Sequence, residues 1–74
     1  MDNKINTGKD FMKFFQTKGD YLVELSENHF KNKEYKKAMD LLNQAYSNYM
    51  KCKNAEDAEK TKKRYLEIKN NYLK

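Results

Sequence analysis

The chain has 74 residues, a formal net charge of +5 and a single cysteine, Cys52. That is one small domain, near the lower size limit for a self-sufficient core, and it excludes a disulfide framework. The longest apolar run is only a few residues, which excludes a membrane-spanning helix; a lone thiol and no leader pattern point to the cytoplasm.

Fifteen of the sixteen basic residues are lysine, and only Arg64 carries the forked guanidinium that phosphate and base readers favour. The positive charge is spread along the chain. Direct nucleic-acid binding is therefore disfavoured, although Lys60, Lys62, Lys63 and Arg64 form the one basic run that could serve an anionic surface, whether nucleic acid or membrane.

Residues 1–7 are expected to be a flexible N-terminus, with residues 8–74 forming the domain. There is no proline, and only Gly8 and Gly19 interrupt residues of good helix propensity. The first helix is expected over about 8–32. Phe11, Met12, Phe14, Phe15, Leu22, Val23, Leu25, Ser26, His29 and Phe30 share one side of it, and the phase is kept across Gly19. Thr7 can cap this helix, with Asp10 at the capping-box spacing. A break at Gly19 with Asp20 as a fresh cap is the alternative, but an interior glycine costs only about 1 kcal/mol.

Between Phe30 and Tyr35 the apolar direction jumps by more than half a turn, so Asn32-Lys33-Glu34 is read as a tight reversal, with Asn32 suited to the left-handed conformation. The second helix, about 34–53, carries the strongest pattern. Tyr35, Ala38, Met39, Leu41, Leu42, Ala45, Tyr46, Tyr49, Met50 and Cys52 fill one continuous half of its circumference. Lys36, Lys37, Asp40, Asn43, Gln44, Ser47, Asn48 and Lys51 fill the other. A greasy face that broad needs two neighbours, so this helix is expected in the middle.

A second phase break at Lys53-Asn54 starts the third helix, about 55–73, with Asn54 as cap, Asp57 at the capping-box spacing, and Glu56 and Asp57 in the first turn. Its wide strip is Ala58, Thr61, Tyr65, Ile68 and Tyr72. A thinner ridge holds Ala55, Leu66 and Leu73, set off by Lys62 and Lys69. Short connections make successive helices antiparallel, giving an all-α up-down-up three-helix bundle.

The first two helices resemble a tetratricopeptide unit. Its W-x2-L-G-x2-Y opening falls on Leu22, Leu25, Ser26 and His29, and its A-x3-F segment on Ala38 and Leu42, with Ala45 one turn later. Lys33 stands where the turn glycine is usual. With one closing helix in place of further repeats, the chain is more similar to a microtubule-interacting and trafficking domain. Lys33-Glu34-Tyr35-Lys36-Lys37-Ala38 resembles that domain's first turn, and Tyr65-Leu66-Glu67 its third-helix Tyr-Leu segment. The resemblance implies a protein-interaction module, in which a groove between the second and third helices takes a peptide or an amphipathic partner helix. Here that groove would be edged by Ala55, Lys62, Leu66, Lys69 and Leu73.

No glycine-rich phosphate loop, paired-cysteine metal spacing or serine-histidine-aspartate set is present, so neither catalysis nor a cofactor is expected. His29 has no second histidine to work with and reads as a packed side chain with one hydrogen bond. Phe11, Phe14 and Phe15 either close the open end of the core or protrude as a self-association patch, leaving the chain monomeric or homodimeric.

Overall fold

The computed structural model describes residues 7–73, with side chains from Phe11 onward. Three helices follow one another: α1 (Thr7–Lys31), α2 (Tyr35–Lys51) and α3 (Ala55–Tyr72). No strand occurs among the described residues. The expected flexible segment and the Thr7–Asp10 capping box fall outside what is described, apart from α1 beginning at Thr7.

α1 runs unbroken through Gly19, and Asp20 caps nothing. The reason lies in α2. A Cβ built on Gly19 would come within 2.7 Å of the Tyr49 ring. Gly19 and Ser26 on α1 and Ala38 and Ala45 on α2 are all buried. These small residues, seven apart on each helix, let the two helices lie close along their shared length. Ser26 satisfies its hydroxyl locally by donating to the Val23 carbonyl at 2.6 Å, so its burial carries little desolvation cost.

Both links between helices are built alike. Lys33 and Lys53 adopt left-handed backbone, with φ of 63° and 57°. The left-handed residue of the first link is thus Lys33 and not Asn32. At each link two amides reach back to the helix just ended. Lys33 N–H donates to the Phe30 carbonyl and Glu34 N–H to the His29 carbonyl, both at 2.9 Å. Lys53 N–H donates to Met50 at 3.1 Å and Asn54 N–H to Tyr49 at 2.9 Å. This is the Schellman closure, normally made with glycine at the left-handed position.

Glu34 precedes α2 without capping it through its side chain, whereas Asn54 caps α3 by accepting from the Asp57 N–H at 3.1 Å. The reciprocal bond runs side chain to side chain, Asn54 Nδ2 donating to Asp57 Oδ2 at 2.9 Å.

α2 lies between α1 and α3 and packs against both. One core cluster joins Leu22, Ala45, Tyr49 and Ala58, one or more residues from each helix. The other joins Ala38, Leu42 and Ile68, ringed by Phe30, Tyr35, Met39 and Tyr65. Val23 touches both. The half-circumference pattern of α2 holds with two departures: Asn48, expected on the wet side, is buried and donates to the Gln44 carbonyl at 2.8 Å, and Met50, expected on the apolar side, is 51% exposed.

Candidate functional site

Among the described residues three depressions border the central helix, the most voluminous of them, about 570 Å³, at the Leu73 end. One of about 320 Å³ lies between α2 and α3 and is lined by Leu42, Asn43, Tyr46, Thr61, Lys62, Tyr65 and Leu66. Its floor is apolar because Leu42 and Thr61 are buried at the α2–α3 contact, and its walls are the half-buried rings of Tyr46 and Tyr65. Leu66 stands on the α3 rim, 40% exposed, with Lys62 one turn earlier. Among the described residues no carboxylate lines this cleft.

The five ridge residues do not all meet there. Lys62 and Leu66 line the cleft. Leu73 borders a separate depression with Lys33, Glu34, Tyr35, Lys36, Lys37 and Asp40, where the end of α3 meets the start of α2. Ala55 and Lys69 are exposed and line neither. Lys69 follows Lys62 by two helical turns and so shares its edge of α3.

The smaller groove, about 160 Å³, runs between α1 and α3 above α2 and is lined by Val23, Leu42, Tyr49, Asp57, Lys60, Thr61 and Arg64. Long polar side chains bridge it. Arg64 Nε donates to Glu27 Oε2 at 2.8 Å and Nη2 to Glu27 Oε1 at 3.0 Å, while Nη1 reaches Glu67 at 2.7 Å. The guanidinium also lies 4.4 Å from the Phe30 ring centre. The hydrogen bonds that Arg64 donates to Glu27, then to Glu67, hold it charged above its usual range against the opposing effect of burial.

Toward the start of α3, Gln16 ties the same two helices together. Its Nε2 donates to Asp57 Oδ2 at 3.1 Å and to Asp20 Oδ1 at 3.2 Å, and its Oε1 accepts from Asn54 Nδ2 at 2.5 Å. Tyr49 O–H donates to Asp20 Oδ1 at 2.5 Å. Burial, followed by the Asp20 hydrogen bond and charge, pushes the Tyr49 hydroxyl well above the ordinary tyrosine range.

At the far end of the bundle, Phe30, Tyr35 and Tyr72 form an aromatic staple with one ring from each helix. Phe30 lies 5.5 Å from Tyr35 and 5.1 Å from Tyr72, and the two tyrosines stack at 4.9 Å. The staple, the Arg64 bridge and the Gln16 knot all escape a helix-by-helix reading. The staple alone had a signal: up-down-up order puts the end of α1, the start of α2 and the end of α3 together.

The four-residue basic run does not converge. Lys60 faces the smaller groove, Lys62 the α2–α3 cleft, Lys63 is exposed, and Arg64 is occupied by two glutamates. His29, its side chain 25% exposed, places Nδ1 2.5 Å from Glu34 Oε1. Cys52 is half-buried at the other end of α2, its thiol 3.3 Å from the Tyr49 carbonyl. The fold therefore keeps Cys52 and His29 apart.

Phe11 and Phe14 are 57% and 55% exposed and protrude from the bundle, which corrects the reading that they close the core. Phe15 is half-buried. No helix among the described residues is long and apolar enough to cross a membrane.

The sequence matches no protein-family model, no curated protein and no solved structure.

Proposed function

We propose that the chain is a protein-interaction module whose α2–α3 cleft takes an amphipathic helix carrying leucine-type anchors and acidic flanks. The observation that carries this reading is the cleft itself. A floor of Leu42 and Thr61 between the rings of Tyr46 and Tyr65 lies open beside an exposed Leu66, with Lys62 lining it and, among the described residues, no carboxylate to oppose an acidic partner. A groove of that shape and sign suits helix-in-groove recognition, in which apolar residues spaced by three and four enter pockets and charges set the register. The resemblance of Leu22–Leu42 to a tetratricopeptide hairpin, and of the whole three-helix arrangement to a trafficking domain, supports the same reading.

The competing use, an anionic surface held by Lys60, Lys62, Lys63 and Arg64, is weakened by the engagement of Arg64 with Glu27 and Glu67. It is weakened again because Lys60 and Lys62 border different grooves.

The test uses a labelled synthetic helix with leucines at i, i+3 and i+7 and glutamates alongside, read by fluorescence anisotropy. Binding should weaken at least tenfold in Leu66→Ser and in Lys62→Glu, with melting unchanged in both. A glutamine-flanked version of the peptide should bind Lys62→Glu and the parent protein equally. Affinity for the glutamate peptide that is indifferent to both substitutions would overturn the cleft assignment.

A further inference from the structure

α1 has 25 residues and α2 has 17, so α1 is about 12 Å longer at 1.5 Å per residue. The surplus lies at its amino end, where the last turn of α2 reaches only Phe15: the Lys51 ammonium sits 5.3 Å from that ring's centre. Upstream, Phe11, Met12 and Phe14 are 57%, 42% and 55% exposed. Phe11 and Phe14 nevertheless both meet the ring of Phe15. Phe11 and Phe15 stack at 6.3 Å, and Phe14 meets Phe15 edge-on at 5.3 Å.

From Phe11 onward the charges around the cluster are positive, with Asp10 the acidic neighbour that precedes it in sequence. Lys18 places its ammonium 5.8 Å from the Phe14 ring centre, Lys51 covers Phe15, and Lys13 and Lys53 are exposed nearby in sequence. No acidic residue occurs between Phe11 and Gly19 or between Leu41 and Lys53. After Asp10, the next carboxylate along α1, Asp20, is held by Tyr49 and Gln16. Glu56 and Glu59, in the opening turns of α3, fall on the side of that helix away from its buried Ala58 and Thr61.

Exposed aromatic rings beside lysine ammoniums match the boundary of an anionic bilayer, where apolar side chains enter the headgroup–acyl zone and lysines meet the lipid charge. A second copy of the chain fits less well. Pairing two such ends sets lysines against lysines. Among the described residues the exposed apolar area there is also roughly 300 Å² from three large side chains, well short of the about 800 Å² that each partner buries in a stable interface. We infer that the amino-terminal overhang of α1 is a peripheral docking surface for anionic lipid bilayers, with Phe11, Met12 and Phe14 inserting and Lys18 and Lys51 contacting headgroups. This surface is separate from the α2–α3 cleft, so one protein could hold a partner and a membrane together.

Flotation with vesicles of 70:30 phosphatidylcholine and phosphatidylserine tests it, using vesicles of phosphatidylcholine alone as the comparison. The chain should float with the anionic vesicles only. Phe11→Ser with Phe14→Ser should cut partitioning about tenfold or more, since two half-exposed rings no longer enter the bilayer. Lys18→Gln with Lys51→Gln should cut it about fivefold per lysine. Circular dichroism should show both variants as helical as the parent, because Phe11, Phe14, Lys18 and Lys51 are all exposed. Binding that survives the phenylalanine changes and vanishes with salt would overturn the proposal in favour of diffuse charge. So would absence of flotation together with a concentration-dependent dimer, seen by sedimentation and abolished by the same phenylalanine changes.

Discussion

The ring of Tyr49 lies against the backbone of Gly19, with Cε1, Cδ1 and Cζ at 2.7, 2.9 and 2.9 Å from where a Cβ would stand. Tyr49 is 3% exposed and its hydroxyl is held by Asp20 one residue further along α1, so the ring cannot swing aside. This contact accounts for a glycine in the middle of a long helix.

Gly19→Ala sets two effects against each other. Helix propensity gains about 1 kcal/mol, while overpacking a close contact costs about 1–3 kcal/mol. With the nearest contact under 3 Å the clash wins, and the variant should melt below the parent. In a Tyr49→Ala background the clash is gone, and the same substitution should raise the melting temperature. The sign reversal, read as a double-mutant cycle by thermal denaturation, is the check.

Tyr49 also predicts how the protein responds to alkali. Burial and Asp20 raise its ionisation above the ordinary value of 10.0. The folded form therefore keeps a proton that the unfolded chain gives up. Stability from this group is complete below pH 10 and is lost as pH rises beyond it toward the folded-state value. Tyr49→Phe should start less stable at pH 7 by about 1 kcal/mol for the missing hydrogen bond. Between pH 10 and 12 it should lose less stability than the parent. Urea denaturation at several pH values measures both; parallel losses would refute the assignment.

Lys33 and Lys53 sit in left-handed backbone, which costs a residue with a Cβ about 1 kcal/mol relative to glycine. Both side chains are exposed. Lys33→Gly and Lys53→Gly should each stabilise by about 0.5–1 kcal/mol, with melting rising by about 2–8 °C for a domain this size. The links lie at opposite ends of α2, so the two gains should add in the double variant.

Arg64 joins α3 to α1 through a two-pronged contact with Glu27 and a stack on Phe30. Lysine keeps the charge but cannot make the fork or the planar stack. Arg64→Lys should cost about 1 kcal/mol, a modest figure because the Arg64 and Glu27 side chains are 28% and 36% exposed and solvent screens the pair. Hydrogen exchange should quicken in α3 more than in α2. Equal protection in parent and variant would show that the bridge contributes nothing.

Helix number, order and approximate ends were legible in the chain because each depends on local periodicity. The phase jumps at Asn32-Lys33-Glu34 and Lys53-Asn54 mark directions that one straight rod cannot serve, and the broad face of α2 requires two partners. The Asn54 cap was readable for the same reason, since donor and acceptor are three residues apart. The cleft was legible in part: Lys62 and Leu66 could be placed on an outer edge of α3, but their companions Asn43 and Tyr46 belong to another helix.

What required tertiary structure is whatever depends on two helices meeting at a definite height and rotation. Helical phase locates Gly19 on the packing face, but only the docked Tyr49 ring explains why nothing larger stands there. Asn48 looks wet by phase, yet it lies at the margin of the face and is buried once the helices close together. Leu73 shares a ridge with Leu66 on α3, but the rise of the helix carries it beyond the cleft to the start of α2. Periodicity specifies direction around an axis. Which residues share a groove depends on the relative height and tilt of neighbouring axes, and those are set by the fit of small residues such as Ser26, Ala38 and Ala45 against each other.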